Sequence, residues 1–207
     1  MKIYTIHSAS HQKYFDLFKG SLKGRHEIIS REVEQISSPD YGAGDIINIY
    51  RLMVLYILEA LYKETEPFLF MGVDIYFFKD FDVDLGEMDM LVTYEKDVCG
   101  LPTICTGVMC LRPNKRTRKM FLWILKHFDK LRDDQRGVNI YLYTHPFSIK
   151  WGLLPKEYYS INYDNGNKIW NGEQIKLSVD PILLHYHWTL GDENRMKLLK
   201  MVKEQVC

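Results

Sequence analysis

An excess of charge of either sign is missing: Lys+Arg and Asp+Glu number 27 each, and the formal net charge is zero. Nucleic-acid binders draw much of their affinity from surplus Lys and Arg set against phosphates, so that class is set aside. Basic clusters such as RPNKRTRK (112–119) are answered by acidic ones such as DFDVDLGEMD (80–89). Cysteine is scarce, and Cys99, Cys105, Cys110 and Cys207 include no C-x-x-C pair. Strand alternation would send Cys105 and Cys110 to opposite faces. The pattern reads as free thiols in a reducing compartment, the cytoplasm, and speaks against a disulfide framework or a zinc site.

Long apolar runs are also missing. MKIYTIHSAS lacks the apolar core of a signal peptide. The most hydrophobic segment, DIINIYRLMVLYILEALYKE (45–64), is interrupted by Asn48, Arg51 and Glu59. Its longest clean run, Leu52 to Leu58, falls far short of a membrane span and reads as a buried helix. There is no G-x-G-x-x-G after a strand, no Walker A loop, no G-x-S-x-G elbow and no H-E-x-x-H. Neither a repeat nor a linker divides the chain, so one domain over residues 1–207 is expected. The chain stops on a helical pattern, compatible with a domain cut from a longer protein.

What is present is an ordinary globular composition, 46% hydrophobic, with 14 tyrosines that suit either a core or a sugar or nucleotide site. Strand patterns at 2–8, 26–34 and 68–78 alternate with helical patterns at 11–24 and 45–64. SSPDYGAGD (37–45) forms a turn-rich loop with Asp45 as helix N-cap. This β-α-β-α-β order predicts an α/β fold with a mostly parallel sheet covered on both faces. Residues 1–80 read as a nucleotide-binding half and 81–207 as a mixed sheet docked onto it. The second part offers short strands at 89–95 and 103–113 and an amphipathic helix at 115–131. A polar stretch, RDDQRGVN, precedes a strand-like IYLY (140–143). Residues 147–165 read as loop, a buried strand ends the 168–188 segment, and 192–206 closes as a helix.

FLFMGVDIYFF (68–78) is almost unbroken apolar sequence with one acid, Asp74, inside it. A carboxylate there is costly unless it is paired or holds a metal. Ligands of open parallel sheets bind beyond the carboxyl ends of the strands, where Asp74 is expected. It either caps a turn, pairs with a lysine or ligates a divalent cation. LLHYHWTLGDENR (183–195) puts His185 and His187 on one face of a strand, as structural residues or, with Asp74, as a Mn²⁺ site. Gly191 would let the backbone approach a ligand, and Arg195 could fork onto a phosphate. DDQRGVN (133–139) could bind sugar hydroxyls or be a solvated helix end. Gly107, inside a buried strand, marks a bulge or a ligand's close approach. Arg51 is either a snorkelling surface residue or a phosphate ligand.

In order, these pieces resemble the nucleotide-diphospho-sugar transferase family of GT-A-fold glycosyltransferases, over roughly residues 2 to 200. FMGVDIYFFKD occupies the place of the Asp-x-Asp motif, with Asp74 as its second acid. CTGVMCLRPN matches the family's small "tGv" strand, and Asp134, Gln135 and Asn139 match D-Q-x-x-x-N. HYHWTLGDENR matches the late H-x-N-W-x-x-G-x-x-x-K motif through His185, Trp188 and Gly191, with Arg195 for its Lys. A fainter likeness is to the compact glycosyltransferase domains of large algal DNA viruses that glycosylate the capsid protein. The resemblance implies a single-domain, Rossmann-like GT-A fold with a smaller mixed sheet. It implies transfer of a sugar from a nucleotide-diphosphate donor, UDP-linked, to a hydroxyl of a glycan or glycoprotein.

By the same resemblance, Asp74 and His185 would hold Mn²⁺ or Mg²⁺. Arg195 and Arg51 would meet the diphosphate, with Gly72, Val73, Gly107 and Gly191 lining the donor site. His7, Ser8 and Ala9, at the end of the first strand, would cradle base and ribose. Asp134 and Gln135 would orient the transferred sugar, and the D-Q segment points to retention. Two positions depart from the pattern: Gly72 replaces the first acid of Asp-x-Asp, and His187, an extra candidate ligand, replaces the Asn. They leave open a non-catalytic nucleotide-sugar or glycan-binding module of the same fold. A metal-dependent phosphoesterase is a third reading.

Overall fold

KIYTIHS buries almost every residue, which a one-sided strand cannot do, so β1 (Lys2–Ser8) lies inside a sheet covered on both faces. This computed structural model describes residues 1–34, 44–98, 101–166 and 168–206, with the side chains of 44–45, 97–98 and 101–102 left aside. The loop expected at 37–45, apart from its last two residues, lies outside the described residues, as do Cys99 and Cys207. So does the side chain of Asp45, the expected N-cap.

After β1 the chain runs through α1 (Gln12–Ser21), β2 (Glu27–Val33), α2 (Gly44–Lys63) and β3 (Phe68–Met71) as the β-α-β-α-β pattern predicts. It continues through β4 (Ile75–Phe77), β5 (Met90–Val98), β6 (Leu101–Leu111), α3 (Lys115–Lys126), α4 (Phe128–Leu131) and α5 (Asp134–Thr144). The last elements are β7 (Trp151–Leu153), β8 (Tyr158–Ser160), β9 (Leu183–His185) and α6 (Asp192–Gln205). The large sheet has the order β2-β1-β3-β6-β5-β7, and β6 runs against both its neighbours while the other pairs are parallel. A small mixed sheet, β4-β9-β8, packs on one face with α1 and α6. Helices α2 to α5 cover the other face. No helix among the described residues is long and apolar enough to cross a membrane.

Three local expectations are corrected. The 68–78 run is two strands: β3 ends at Met71, and β4 belongs to the small sheet. Both pieces are buried, so a continuous apolar pattern cannot reveal the break. IYLY is the end of helix α5, whose Val138, Tyr141 and Leu142 are buried at helical spacing and whose Asp133 side chain caps it by accepting from Arg136 N–H (2.9 Å). Cys105 and Cys110 face the same side, that of the small sheet. Pairing steps from Val92↔Met109 to Thr93↔Cys105, so Thr106–Val108 bulge out of register with β5 and strand alternation is lost there.

The start of α5 is clipped to β6 by Asn139. Its Oδ1 accepts from Ile104 N–H (2.9 Å), and its Nδ2 donates to the carbonyls of Ile104 (3.0 Å) and Gln135 (2.9 Å). Asn139→Ala strips these partners from half-buried backbone groups and is expected to cost about 1–3 kcal/mol. Urea denaturation of the variant against the parent protein measures this.

Candidate active site

The break at Met71 is what presents Asp74. Gly72 N–H donates to the Gly107 carbonyl (2.9 Å), closing the end of β3 onto β6. Asp74 then offers its own carbonyl to Tyr186 N–H (3.0 Å), and the next residue, Ile75, pairs with His185 in the small sheet. The two backbones therefore hold Asp74 beside His185, with Oδ1 3.5 Å from Nε2. Two glycines make the room. A Cβ on Gly72 would lie 2.7 Å from Asp74 Oδ1, and one on Gly107 would lie 2.1 Å from His185 Cε1. Of the two readings the sequence offered for Gly107, a bulge or a ligand's close approach, it lies in the Thr106–Val108 bulge, and the group that approaches it is the His185 ring.

A row of ionisable groups extends from this pair. His185 Nδ1, on the other edge of the ring, is 3.8 Å from Cys105 Sγ. The His185 and His187 rings stack at 5.4 Å, and His187 Nε2 meets Glu95 Oε1 at 3.3 Å. Burial disfavours the charged form of every member, yet opposite charges prevail. Burial raises Asp74, but His185 and then Arg195 hold it well below the usual carboxylate range. Burial lowers His185, but Asp74 and Cys105 carry it well above an ordinary imidazole. Cys105 is lowered by His187 and His185 against its burial, and Glu95 is lowered by His187.

Two cavities meet at Asp74 and Arg195, which line both. One, of about 230 Å³, is bounded by His7 and Ser8 at the end of β1, by Gly72 and Val73, and by Ile49 and Tyr50 of α2. The other, of about 440 Å³, is bounded by Glu95, Tyr186, His187 and Trp188. Arg195 lies over the Tyr14 ring at 5.0 Å, and its Nε donates to the Thr189 carbonyl (3.3 Å). Ala9 is exposed and opens a single 3₁₀ turn after β1, and His7 stacks on Phe15 at 4.0 Å.

Of the expected residues, Ala9, Arg51, Gly191, Asp134 and Gln135 line neither cavity. Arg51 pairs with Asp129 and packs over the Phe128 ring, outside both cavities. The face of α2 one residue away, Ile49 and Tyr50, is the one turned to the cavity. Gly191 lines neither cavity. With φ +77° it turns the chain into α6, and its carbonyl accepts from Arg195 N–H (3.1 Å). Its contribution is to place Arg195.

Asp134 and Gln135 open α5 against the bulged part of β6. Gln135 Oε1 accepts from Thr106 N–H (3.3 Å), and its side chain also reaches Glu95. Asp134 is buried with Oδ2 unpartnered, and burial pushes it up to about 7. Sequence reasoning missed Glu95, which carries no motif signal, and the place of Cys105 in the row, although it stands two residues before Gly107. It also missed the backbone of Trp188, whose φ of +65° is strained for a bulky side chain and sits at a cavity wall.

The divalent cation that the resemblance implies can be tested against these donors. Asp74 Oδ1 and His185 Nε2 are close enough to share one ion, and Gly72 supplies no side chain. The fit is to one carboxylate and one imidazole, the remaining ligand positions falling to other oxygens.

The close approach at Gly107 makes His185 responsive. Gly107→Ala is expected to drive the ring from Asp74, so that histidine NMR titration finds His185 falling back toward an imidazole value of about 6.5. Asp134 yields a pH prediction. Between its unfolded value near 3.8 and about 7 the native state holds the proton and the unfolded state does not. Stability therefore falls as pH rises through that window, by on the order of a few kcal/mol. In Asp134→Asn, urea midpoints at pH 4.5 and 7.5 should lose that difference.

Comparisons with known proteins bear on the fold and the family. A search of curated proteins finds no match by sequence. Among solved structures, the glycosyltransferase GlyE of Streptococcus pneumoniae TIGR4 shares 14% identity at a TM-score of 0.58, over 98% of this chain and 63% of that one. This chain thus spans less than two thirds of GlyE. A glycosyltransferase involved in glycosylation of the PBCV-1 major capsid matches at 16% identity and TM-score 0.60, over 97% of this chain and 98% of that one. The galactosyltransferase LgtC, solved with donor and acceptor sugar analogues, matches at 11% and 0.55, over 100% and 97%. At such identities the likeness establishes the fold, GT-A, with its six-strand sheet and smaller partner sheet. The model of the nucleotide-diphospho-sugar transferases matches residues 29–199, from β2 through most of α6, and on that extent the chain belongs to this family.

Proposed function

We propose that this protein, as one transferase unit, moves a sugar from a nucleotide-diphosphate donor, UDP-linked, to a hydroxyl of a glycan or glycoprotein. The observation that carries the reading is the meeting of Asp74, His185 and Arg195 where two cavities join. The smaller cavity suits base and ribose, between His7, Ser8 and the Ile49–Tyr50 face of α2. The larger suits the transferred sugar and acceptor. The diphosphate would then lie between them, against Arg195.

Breaking the glycosidic bond leaves negative charge on the diphosphate, and Arg195 supplies fixed positive charge to offset it. Asp74 and His185 would hold Mn²⁺ or Mg²⁺. Such an ion, when bound, supplies Lewis-acid contact with the leaving phosphates. Gln135, fixed by Thr106 and Glu95, and Asp134 behind it would orient the sugar near its anomeric carbon. Asp134 is too deeply buried to serve as a base facing an acceptor, and the retaining course, with the leaving phosphate taking the acceptor proton, rests on the resemblance of the D-Q segment to retaining relatives. The PBCV-1 neighbour is involved in glycosylation of the major capsid, and a viral structural glycoprotein is one acceptor of the proposed class.

A panel of nucleotide sugars with Mn²⁺, scored by UDP release, tests the reading. Asp74→Ala and His185→Ala are expected to lower turnover at least 100-fold with circular dichroism unchanged. Full turnover in EDTA would remove the metal assignment. The bare Gly72 favours one rival, a non-catalytic binding module, and saturable UDP binding without release from any donor would establish it.

A further inference from the structure

The row of groups described above continues past the Asp74 edge of His185, and its far side has a different chemistry. Cys105 Sγ and one ring nitrogen each of His185 and His187 lie within 4.8 Å of one another. We propose that Cys105, His185 and His187 form a thiophilic metal site that takes Zn²⁺, on the edge of the His185 ring opposite Asp74. The inference does not rest on the transferase reading and would stand for a binding module as well.

Donor chemistry carries it. One thiolate and two imidazoles are a soft, nitrogen–sulfur set that suits Zn²⁺, whereas Mn²⁺ and Mg²⁺ prefer oxygen. Three protein ligands leave a fourth tetrahedral position for water or a substrate oxygen. Zn–S near 2.3 Å and Zn–N near 2.0 Å imply donor separations of roughly 3.5 Å. The 3.8 Å between Cys105 Sγ and His185 Nδ1 is already close to that value. Cys105 and His185 are almost fully buried, while His187 opens onto the larger cavity and gives an ion a way in.

The second independent observation is the set of carboxylates behind the histidines. A metal-bound imidazole characteristically donates its other ring N–H to a carboxylate, which fixes the tautomer and strengthens the ligand. Both histidines have such a partner: His185 Nε2 faces Asp74 at 3.5 Å and His187 Nε2 faces Glu95 at 3.3 Å. Glu95 is in turn held by Gln135. The contact with Asp74 occupies the Nε2 edge of His185 and leaves its Nδ1 edge turned to Cys105. The bare Cα of Gly107 keeps the His185 ring against Cys105. A neutral imidazole has one lone pair, so an ion on Nδ1 takes His185 from any hard cation at Asp74. The two sites would exclude each other.

Co²⁺ titration of the full, EDTA-stripped chain tests the proposal without an activity assay. The expected result is a near-ultraviolet thiolate-to-Co²⁺ charge-transfer band that Zn²⁺ abolishes by displacement. Cys105→Ser should lose the band, and Cys110→Ser should keep it. Glu95→Gln should weaken Zn²⁺ binding about 10-fold or more with the band retained. Should Cys105→Ser fail to fold, His187→Asn carries the test: it keeps the thiolate band and loses at least 10-fold in Zn²⁺ affinity. A band that survives in Cys105→Ser overturns the site, as does Co²⁺ binding without a band. Unchanged Zn²⁺ affinity in His187→Asn overturns it too, and so does absence of binding.

Discussion

The hydrogen bond from Tyr186 N–H to the Asp74 carbonyl, with the β4–β9 pairing that continues it, is the constraint on which the site depends. It takes an apolar run that would otherwise extend a single central strand and hands its second half to another sheet. At the handover the backbone is committed on both sides. Gly72 is bonded to β6 and Asp74 to the end of β9, so a carboxylate emerges where neither sheet continues. Burying that charge would be prohibitive without compensation. His185 and Arg195 supply it from elements that the same pairing brings near.

The large features were legible because periodicity and order record them. β1, β2, α1, α2 and the closing helix follow directly from alternation or helical spacing, and their sequence implies the parallel half of the sheet. What escaped has physical reasons. Two buried strands in succession look like one long strand, because both faces of each are apolar. A short apolar run such as IYLY has no period of its own, and the helix it completes is set by a cap seven residues before it, at Asp133. The bulge at Thr106–Val108 is a tertiary event, so the shared side of Cys105 and Cys110 could not be read from spacing.

The site divided in the same way. Asp74, His185 and Arg195 stood out because a charge or ligand inside an apolar setting is anomalous. Glu95 looks like any polar residue of a half-buried strand and acquires meaning through its contacts with His187 and Gln135. Arg51 illustrates the opposite case. A lone arginine in an apolar helix drew attention, yet the helix turns roughly 100° per residue, and the cavity faces its neighbour Tyr50.

The missing side chain at Gly72 constrains how this protein can change. The Asp74 carboxylate lies over the bare Cα, in space that any Cβ there would claim. Installing an acid at 72 would therefore add a second negative charge and require the Asp74 carboxylate to shift beside its histidine. Gly72 and Asp74 are coupled by that contact, and Gly107 and His185 by theirs, so a change at either glycine is felt first by its neighbouring side chain.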